Sequence, residues 1–366
     1  MAERFVLTGG DGFLGWHTRL AIHSEGSDSD HLPVGDYWDE EKSLELLDGS
    51  DHLIHLAGVN RGSDEEVQQG NVRFAEQVAG ALREVASPPR TVTYSNSIQA
   101  QMGGVYGDAK AEAGSILREA AHEVGAEYRE LLLPNLYGEH GRPFYNSVVS
   151  TFCYLIATQS GAPKIEVDRE LGLLHAQDAA DWLVGAIDED EVTDLVTNMT
   201  VSDLLSRLEK ISDCYRGGEV PDLSTDFGRN LFNTYRSYLV GEEMPFALTR
   251  HADERGSFFE VIRTHGGDGQ SSFSTTEPDV RRGDHYHRRK VERFTALSGH
   301  AEISMRRLFT DDTLSFAVSG DVPMAIDIPT GWTHDLKNTG YETLYMHFWT
   351  NDLFDPENPD TFAEEV

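Results

Sequence analysis

Four side chains with metal-ligand chemistry fall into two short segments of this 366-residue chain: His285, His287 and Glu292 in one, His334 in the other. His285 and His287 are two residues apart, so both imidazoles point to one face of a strand. Glu292 follows across a turn onto a partner strand, and His334 returns from a second hairpin. Three nitrogens and one carboxylate placed in this way can converge on one divalent ion, Zn²⁺ by ligand type, with other divalent transition metals open. A different chemistry stands near the other end, in Thr8-Gly9-Gly10-Asp11-Gly12-Phe13-Leu14-Gly15. Gly9 permits a tight turn, Gly12 lets the backbone approach a pyrophosphate, and Gly15 lets the next helix pack close to the sheet. Tyr106 and Lys110 form a third set. Four residues apart on a helix, they share a face, and an ammonium beside a phenol makes the tyrosine a better proton donor and acceptor near neutral pH. Ser97, just after an apolar strand, can offer a hydroxyl to a carbonyl oxygen.

Elements of two kinds must hold these groups. In the first half, short apolar strands (Phe5–Thr8, His52–Leu56, Thr91–Tyr94, Tyr128–Leu133) alternate with helical stretches such as Asn71–Val85 and Lys110–Gly125. That alternation predicts an α/β, doubly wound parallel sheet of the Rossmann type. A polar helical region spans Val201 to about Tyr215. From about Pro245 strand-like segments separated by glycine turns take over, which predicts an all-β barrel. The boundary falls between Leu239 and Met244, giving domains 1–243 and 244–366.

Composition narrows the function. The formal charge of −33 speaks against nucleic acid and acidic membranes as partners, and the acids are spread along the chain as a solvated, salt-adapted surface would have them. A nucleotide ligand then needs local arginines. No apolar run reaches membrane-spanning length, and an N-terminus that runs straight into a strand predicts no signal peptide. The two cysteines, Cys153 and Cys214, make no disulfide framework and fit a reducing cytoplasm.

Alone, a Tyr-x-x-x-Lys pair is an ordinary helix surface, and a His-x-His pair is a barrel strand. The sets together resemble known families. Residues 1–240 resemble the extended short-chain dehydrogenase/reductases. That resemblance implies NAD(P)(H), with Tyr106 as acid/base, Lys110 on the nicotinamide ribose and Ser97 polarising the substrate carbonyl. It further implies Asp11, Phe13 and Leu14 along the phosphates, Leu56 and Ala57 over the adenosine side, and Pro134 beside the nicotinamide. The end of the second strand, His31 to Asp36, departs from the usual selector of cofactor. Asp36 there would favour a free ribose 2′-hydroxyl, so NADH and NADPH both stay open. The C-terminal pattern Gly-x-His-x-His…Glu…Gly299 with Pro329-x-Gly331…His334…Asn338 is similar to the two cupin motifs. Asp253–Glu260 is similar to the signature of sugar-nucleotide 3,5-epimerases, which usually work without metal.

The segments Gly58–Arg61, Ser97–Ala100, Pro134–Gly138, Thr234–Leu239, Ser319–Asp321 and Phe354–Pro356 resemble the CapF family of capsular polysaccharide assembling proteins over the whole chain. This resemblance implies a homodimeric, bifunctional enzyme whose substrate is a UDP-linked 4-keto-6-deoxy amino sugar. The cupin, holding Zn²⁺, would epimerise C3 of a UDP-2-acetamido-2,6-dideoxy-hexos-4-ulose. The reductase would reduce C4 with NADPH to UDP-2-acetamido-2,6-dideoxy-L-talose, on the way to UDP-N-acetyl-L-fucosamine. Lys290 is a candidate epimerase base, and a closed four-donor site leans toward a structural metal. Two alternatives remain: a reductase with a non-catalytic dimerising cupin, and a dinucleotide-sensing binding protein.

Overall fold

The structure, a computed structural model, describes residues 3–241, 244–254 and 256–366. Its chain divides into two compact units, Met1–Tyr137 with Leu171–Met199, and Gly138–Glu170 with Thr200–Val366. Glu242 and Glu243, where the domain boundary is expected, and Arg255 of the Asp253–Glu260 signature lie outside the described residues.

In the first unit, five strands alternate with four helices: β1 (Arg4–Thr8), α1 (Phe13–Ser24), β2 (Asp28–His31), α2 (Glu40–Leu47), β3 (His52–His55), α3 (Asp64–Glu84), β4 (Thr91–Ser97), α4 (Val105–Glu123) and β5 (Glu127–Leu133). They form an all-parallel sheet in the order β2-β1-β3-β4-β5. The parallel sheet expected from the alternation is therefore present, with strand ends moved by one to three residues. A parallel sheet is covered on both faces, which is why its central strands read as unbroken apolar runs. Val6, Leu53 and Val92 pack against Val78, Leu82 and Leu117 of α3 and α4. α3 is started by a capping box in which the Ser63 side chain and Glu66 satisfy each other's backbone N–H groups. A smaller sheet follows, with β6 (Asn135–Tyr137) parallel to β7 (Glu170–His175) and then β8 (Thr197–Thr200), accompanied by α6 (Ala176–Val184) and α7 (Glu189–Leu195). Strand order reverses between β1 and β3, and the crevice at the carboxyl ends of those strands is where such sheets take ligands.

Among its described residues, the second unit contains three helices, α5 (Val148–Thr158), α8 (Val201–Arg216) and α9 (Asp226–Arg236), and a β-structure. One antiparallel sheet runs β12 (Gln270–Thr276), β19 (Leu344–Thr350), β14 (Glu292–Ser298), β17 (Met324–Ile328) and β9 (Phe246–Ala247). The other runs β16 (Thr313–Ser319), β15 (His300–Arg307), β18 (Trp332–Asn338), β13 (Arg281–Tyr286) and β20 (Phe362–Ala363). Phe294, Ile303, Met305, Ile326, Leu336 and Met346 fill the space between the sheets, as expected of a cupin-like β-domain. A separate hairpin pairs β10 (Arg250–Asp253) with β11 (Gly256–Phe259). A buried ion pair between β14 and β17 receives a tyrosine from α8. The Arg293 guanidinium forks onto Asp327 at 2.6 and 2.9 Å, and the Tyr215 hydroxyl donates to the same carboxylate at 2.7 Å. Burial disfavours both charges, and the bidentate geometry with a third donor offsets that cost. Among the described residues, no helix is long and apolar enough to cross a membrane.

Candidate active site and metal centre

The glycine loop leaves the carboxyl end of β1 and enters α1. Gly9 has φ of 69°, and a Cβ there would stand 2.8 Å from the Ala57 nitrogen. A Cβ on Gly15 would stand 2.1 Å from the Gly9 carbonyl oxygen, so the helix can approach only because that side chain is missing. α1 begins at Gly12 without a side-chain cap, which leaves first-turn N–H groups and the positive end of the helix dipole for an anion. Phe13 and Leu14 are half-buried at this entry, and Asp11 is exposed. Asp11 pairs with Arg19 Nη1 at 3.3 Å and His31 Nδ1 at 3.1 Å, so an arginine does stand beside the loop. Asp36 pairs instead with Arg73 at 2.8 Å.

Thr8 binds β1 to the end of β3. Its Oγ1 accepts from the Leu56 and Ala57 N–H groups at 3.1 and 3.2 Å and lies 2.9 Å from His55 Nδ1. Burial, and then the charge of Lys110, push His55 down to about 3, so it is neutral.

Lys110 is buried on α4. Its ammonium donates to the Ser95 carbonyl at 2.7 Å and sits 4.2 Å from the Tyr94 ring centroid. Burial lowers its pKa to about 7, while Glu130 pulls it up. Ser97 ends β4. Its Oγ accepts the Gln99 N–H at 3.2 Å, which leaves the hydroxyl proton to be donated elsewhere. Gly107 lies between Tyr106 and Asp108, and a Cβ there would stand 2.2 Å from the Gln99 carbonyl oxygen. This glycine therefore lets the helix of Tyr106 and Lys110 close on the turn that follows Ser97. Tyr106 is half-buried in the first turn of α4, and its charge would act on Tyr94. Pro134, half-buried, leads from β5 to β6. A cavity of about 410 Å³ in this unit is lined by His52, Thr91, Glu127 and Arg129, at the opposite ends of the strands, and touches none of these groups.

In the second unit, donor atoms of His285, His287, Glu292 and His334 all lie within 4.8 Å of one another. His285 faces His334 across the β13–β18 ladder, and a register shift between Gly283 and His285 turns the strand there. His287 Nδ1 lies 2.6 Å from the Asp360 carbonyl, so that nitrogen carries the proton and donates. A neutral His287 then presents the bare Nε2 to Glu292 Oε2, 3.0 Å away, with His334 Nε2 at 3.4 Å from the same oxygen. His334 Nε2 is buried without a hydrogen-bond partner. Lone pairs converging in this way suit a cation, and the donor set fits Zn²⁺. Burial, reinforced by His334 and His287, lowers His285 to about 4. Burial alone would raise Glu292, whereas His287 and His334, once they carry a proton toward its carboxylate, lower it well below the usual carboxylate range.

Asp360 was not recognisable as part of this site from sequence. Its carboxylate accepts the backbone N–H groups of Arg288, Arg289 and Lys290 at 2.8–3.0 Å, while its carbonyl orients His287. Lys290 stands differently from its expected role as a base. Its ammonium is buried and donates to the Pro359 carbonyl at 2.7 Å, which anchors the 359–361 segment. His347 pairs with Ser271 at 2.7 Å, outside the donor cluster.

Residues 251–362 match the family described as Polysaccharide biosynthesis C-terminal domain. The chain is 30% identical to a UDP-2-acetamido-2,6-beta-L-arabino-hexul-4-ose reductase of Pseudomonas aeruginosa, over 99% of both chains. It is 30% identical over 122 residues to the Spore coat polysaccharide biosynthesis protein SpsL of Bacillus subtilis, covering 31% of this chain and 81% of that one. Among solved structures, the capsular polysaccharide assembling protein CapF from Staphylococcus aureus is similar at 33% identity and a TM-score of 0.63, with 99% of this chain and 100% of that chain covered.

Proposed function

This chain belongs to the family of the capsular polysaccharide assembling protein CapF and the UDP-2-acetamido-2,6-beta-L-arabino-hexul-4-ose reductase, and from that premise we propose that it reduces a UDP-linked 4-keto sugar for polysaccharide biosynthesis. The finer reading has two sites. The cupin domain (244–366) inverts C3 of a UDP-2-acetamido-2,6-dideoxy-hexos-4-ulose, and the reductase domain (1–243) reduces C4 to give UDP-2-acetamido-2,6-dideoxy-L-talose. The observation that carries the reductase reading is the buried Lys110 ammonium, held on β4 one helical turn from Tyr106.

Gly9, Asp11, Gly12, Phe13, Leu14, Gly15, Leu56, Ala57 and Pro134 would hold NADP(H), with NAD(H) the alternative; the bound nicotinamide supplies the hydride. Arg19 and His31 beside the loop favour the more anionic cofactor. Ser97 donates its free hydroxyl proton to the C4 carbonyl oxygen, which polarises it. Tyr106 gives its phenolic proton to that oxygen as the bond is reduced, and Lys110 lowers the cost of the phenolate left behind. In the cupin, the C4 ketone acidifies the C3 proton because the resulting carbanion is delocalised. A divalent ion on His285, His287, Glu292 and His334 would supply a fixed positive charge to the barrel. Reduction removes the ketone and so locks the inverted centre.

A second reading, a reductase with a non-catalytic cupin, is favoured by one observation: Lys290 is engaged with Pro359, so none of the groups assigned here is a free base. We also infer a cytoplasmic homodimer. The hairpin β10–β11 is exposed along nearly its whole length, and Phe258 and Phe273 are 68% and 69% exposed, apolar rings that a partner subunit would cover.

Proton NMR with a UDP-4-keto-6-deoxy-N-acetylhexosamine in deuterated water tests the proposal. Deuterium should enter C3 without NADPH, and the ketone should disappear when NADPH is added. NADPH oxidation without C3 exchange would establish the second reading, and no oxidation with any 4-keto sugar nucleotide would remove both.

A further inference from the structure

Away from the cupin donors, Cys214, Glu219 and His265 form a separate group whose Sγ, carboxylate and imidazole atoms lie within 4.8 Å of one another. Backbone geometry brings these three together. α8 ends at Cys214–Arg216, and the turn that follows returns the Glu219 N–H to the Cys214 carbonyl at 3.3 Å, with Gly218 at φ of 80°. A parallel bridge between Val220 and Thr264 then sets the chain after Glu219 beside His265, through Val220 N–H to Arg263 O at 2.8 Å and His265 N–H to Val220 O at 3.0 Å. The buried Arg293 holds the same turn by donating to the Gly218 carbonyl at 2.7 Å.

The carboxylate is oriented as well as placed. Glu219 Oε1 is 3.2 Å from Arg263 Nη1, and the Arg263 guanidinium is itself held by Glu260. Glu219 Oε2 is thereby aimed at His265 Nε2, 2.5 Å away, with a proton between them. Cys214 is half-buried and His265 is exposed, so an ion can reach the group from water.

We propose that Cys214, Glu219 and His265 form a second divalent metal site, of Zn²⁺ type. One thiolate, one imidazole and one carboxylate are a borderline-soft set that selects Zn²⁺ over Mg²⁺ or Ca²⁺. On binding, the ion takes the place of the proton between Glu219 and His265. The Cys214 thiol gives its proton to solvent, so two anionic ligands neutralise the dication. Three protein ligands leave one position for water. The bound ion cross-links the end of α8 to the 263–267 segment. An arginine locking the carboxylate is the kind of outer contact that such sites use to fix a ligand.

Cobalt titration of the full-length protein separates this site from the cupin, because only this one has a sulfur ligand and Cys153 is fully buried. Added CoCl₂ should produce a thiolate-to-cobalt absorption band in the near ultraviolet that zinc abolishes. The band should survive in the His285→Ala/His334→Ala protein and vanish in Cys214→Ser. Glu219→Gln and His265→Gln, which keep the thiol but each remove a ligand, should need at least about tenfold more cobalt, the lower end of what losing a mere outer contact costs. No band at saturating cobalt, a band that persists in Cys214→Ser, or unchanged titrations in the Glu219 and His265 variants would overturn the assignment.

Discussion

The Lys110 ammonium donates a 2.7 Å hydrogen bond to the carbonyl of Ser95, so the fourth residue after Tyr106, one helical turn on, is pinned to the strand that carries Ser97. Helix and strand therefore hold one another, and the three candidate groups of the reductase do not depend on a mobile loop for their order.

Tyr106→Phe should lower ketone reduction by about 10²–10⁴-fold, the usual worth of a positioned proton donor. Deuterium exchange at C3 should continue, because that step is proposed to belong to the cupin domain. Loss of both activities together would break the two-site scheme.

Gly107→Ala should cost about a hundredfold in reduction with little change in nucleotide affinity. A Cβ there would stand 2.2 Å from the Gln99 oxygen, and α4 must move off the turn to make room. A shift of about an ångström in a catalytic group has this order of effect. Steady-state NADPH oxidation and fluorescence titration of NADPH measure the two quantities; a variant with native kcat would remove the close approach from the argument.

His285→Ala with His334→Ala should strip bound metal from the cupin and lower its melting temperature, as read by elemental analysis and calorimetry. Asp360→Ala should weaken metal binding by about 10–100-fold without removing a ligand, since it frees the turn that aims His287. Metal content unchanged in the double variant would refute the ligand set.

Stability should fall in acid through one buried imidazole, His55, and one half-buried imidazole, His285. His55 is near 3 in the folded chain and about 6.5 when unfolded. Between those values the unfolded state binds more protons, so the contribution is complete above the unfolded value and is lost as pH falls toward 3. His285, near 4, acts with the same sign in the other unit. Urea midpoints at pH 7 and pH 4.5 should therefore differ, and His55→Asn should shrink the difference. An unchanged difference would mean that His55 is already protonated in the native state.

Phe258→Glu should shift the protein toward monomer in sedimentation, since it charges an apolar ring that is 68% exposed on the hairpin. An unaltered dimer would place the self-contact elsewhere, and a monomeric parent would remove the dimer.

The parallel sheet and the barrel were legible because each imposes a local rhythm, strands broken by helices in one and glycine turns in the other. Thr8–Gly15 and His285–His334 were legible because their chemistry needs fixed spacings. What escaped was non-local. Asp360 meets His287 across 73 residues of sequence, and nothing in Pro359-Asp360-Thr361 marks an aspartate whose carbonyl does the orienting. Lys290 read as a candidate base because a partly desolvated lysine can shed its proton more easily; only packing shows its ammonium turned to Pro359. Cys214, Glu219 and His265 share no motif, and a single parallel bridge at Val220 and Thr264 unites them. The helices α5, α8 and α9 likewise join the β-rich unit through packing that no periodicity reveals.

Because His287 takes its orientation from Asp360, a ribosome making this protein delivers three histidines and a glutamate well before the peptide group that aims one of them. If the four donors hold a metal as proposed, a barrel without that segment would meet it with a loosely directed donor set, and tight capture would wait until the 359–361 segment had docked. Proteolytic clipping just before that segment would spare all four proposed donors yet remove the carbonyl that aims His287.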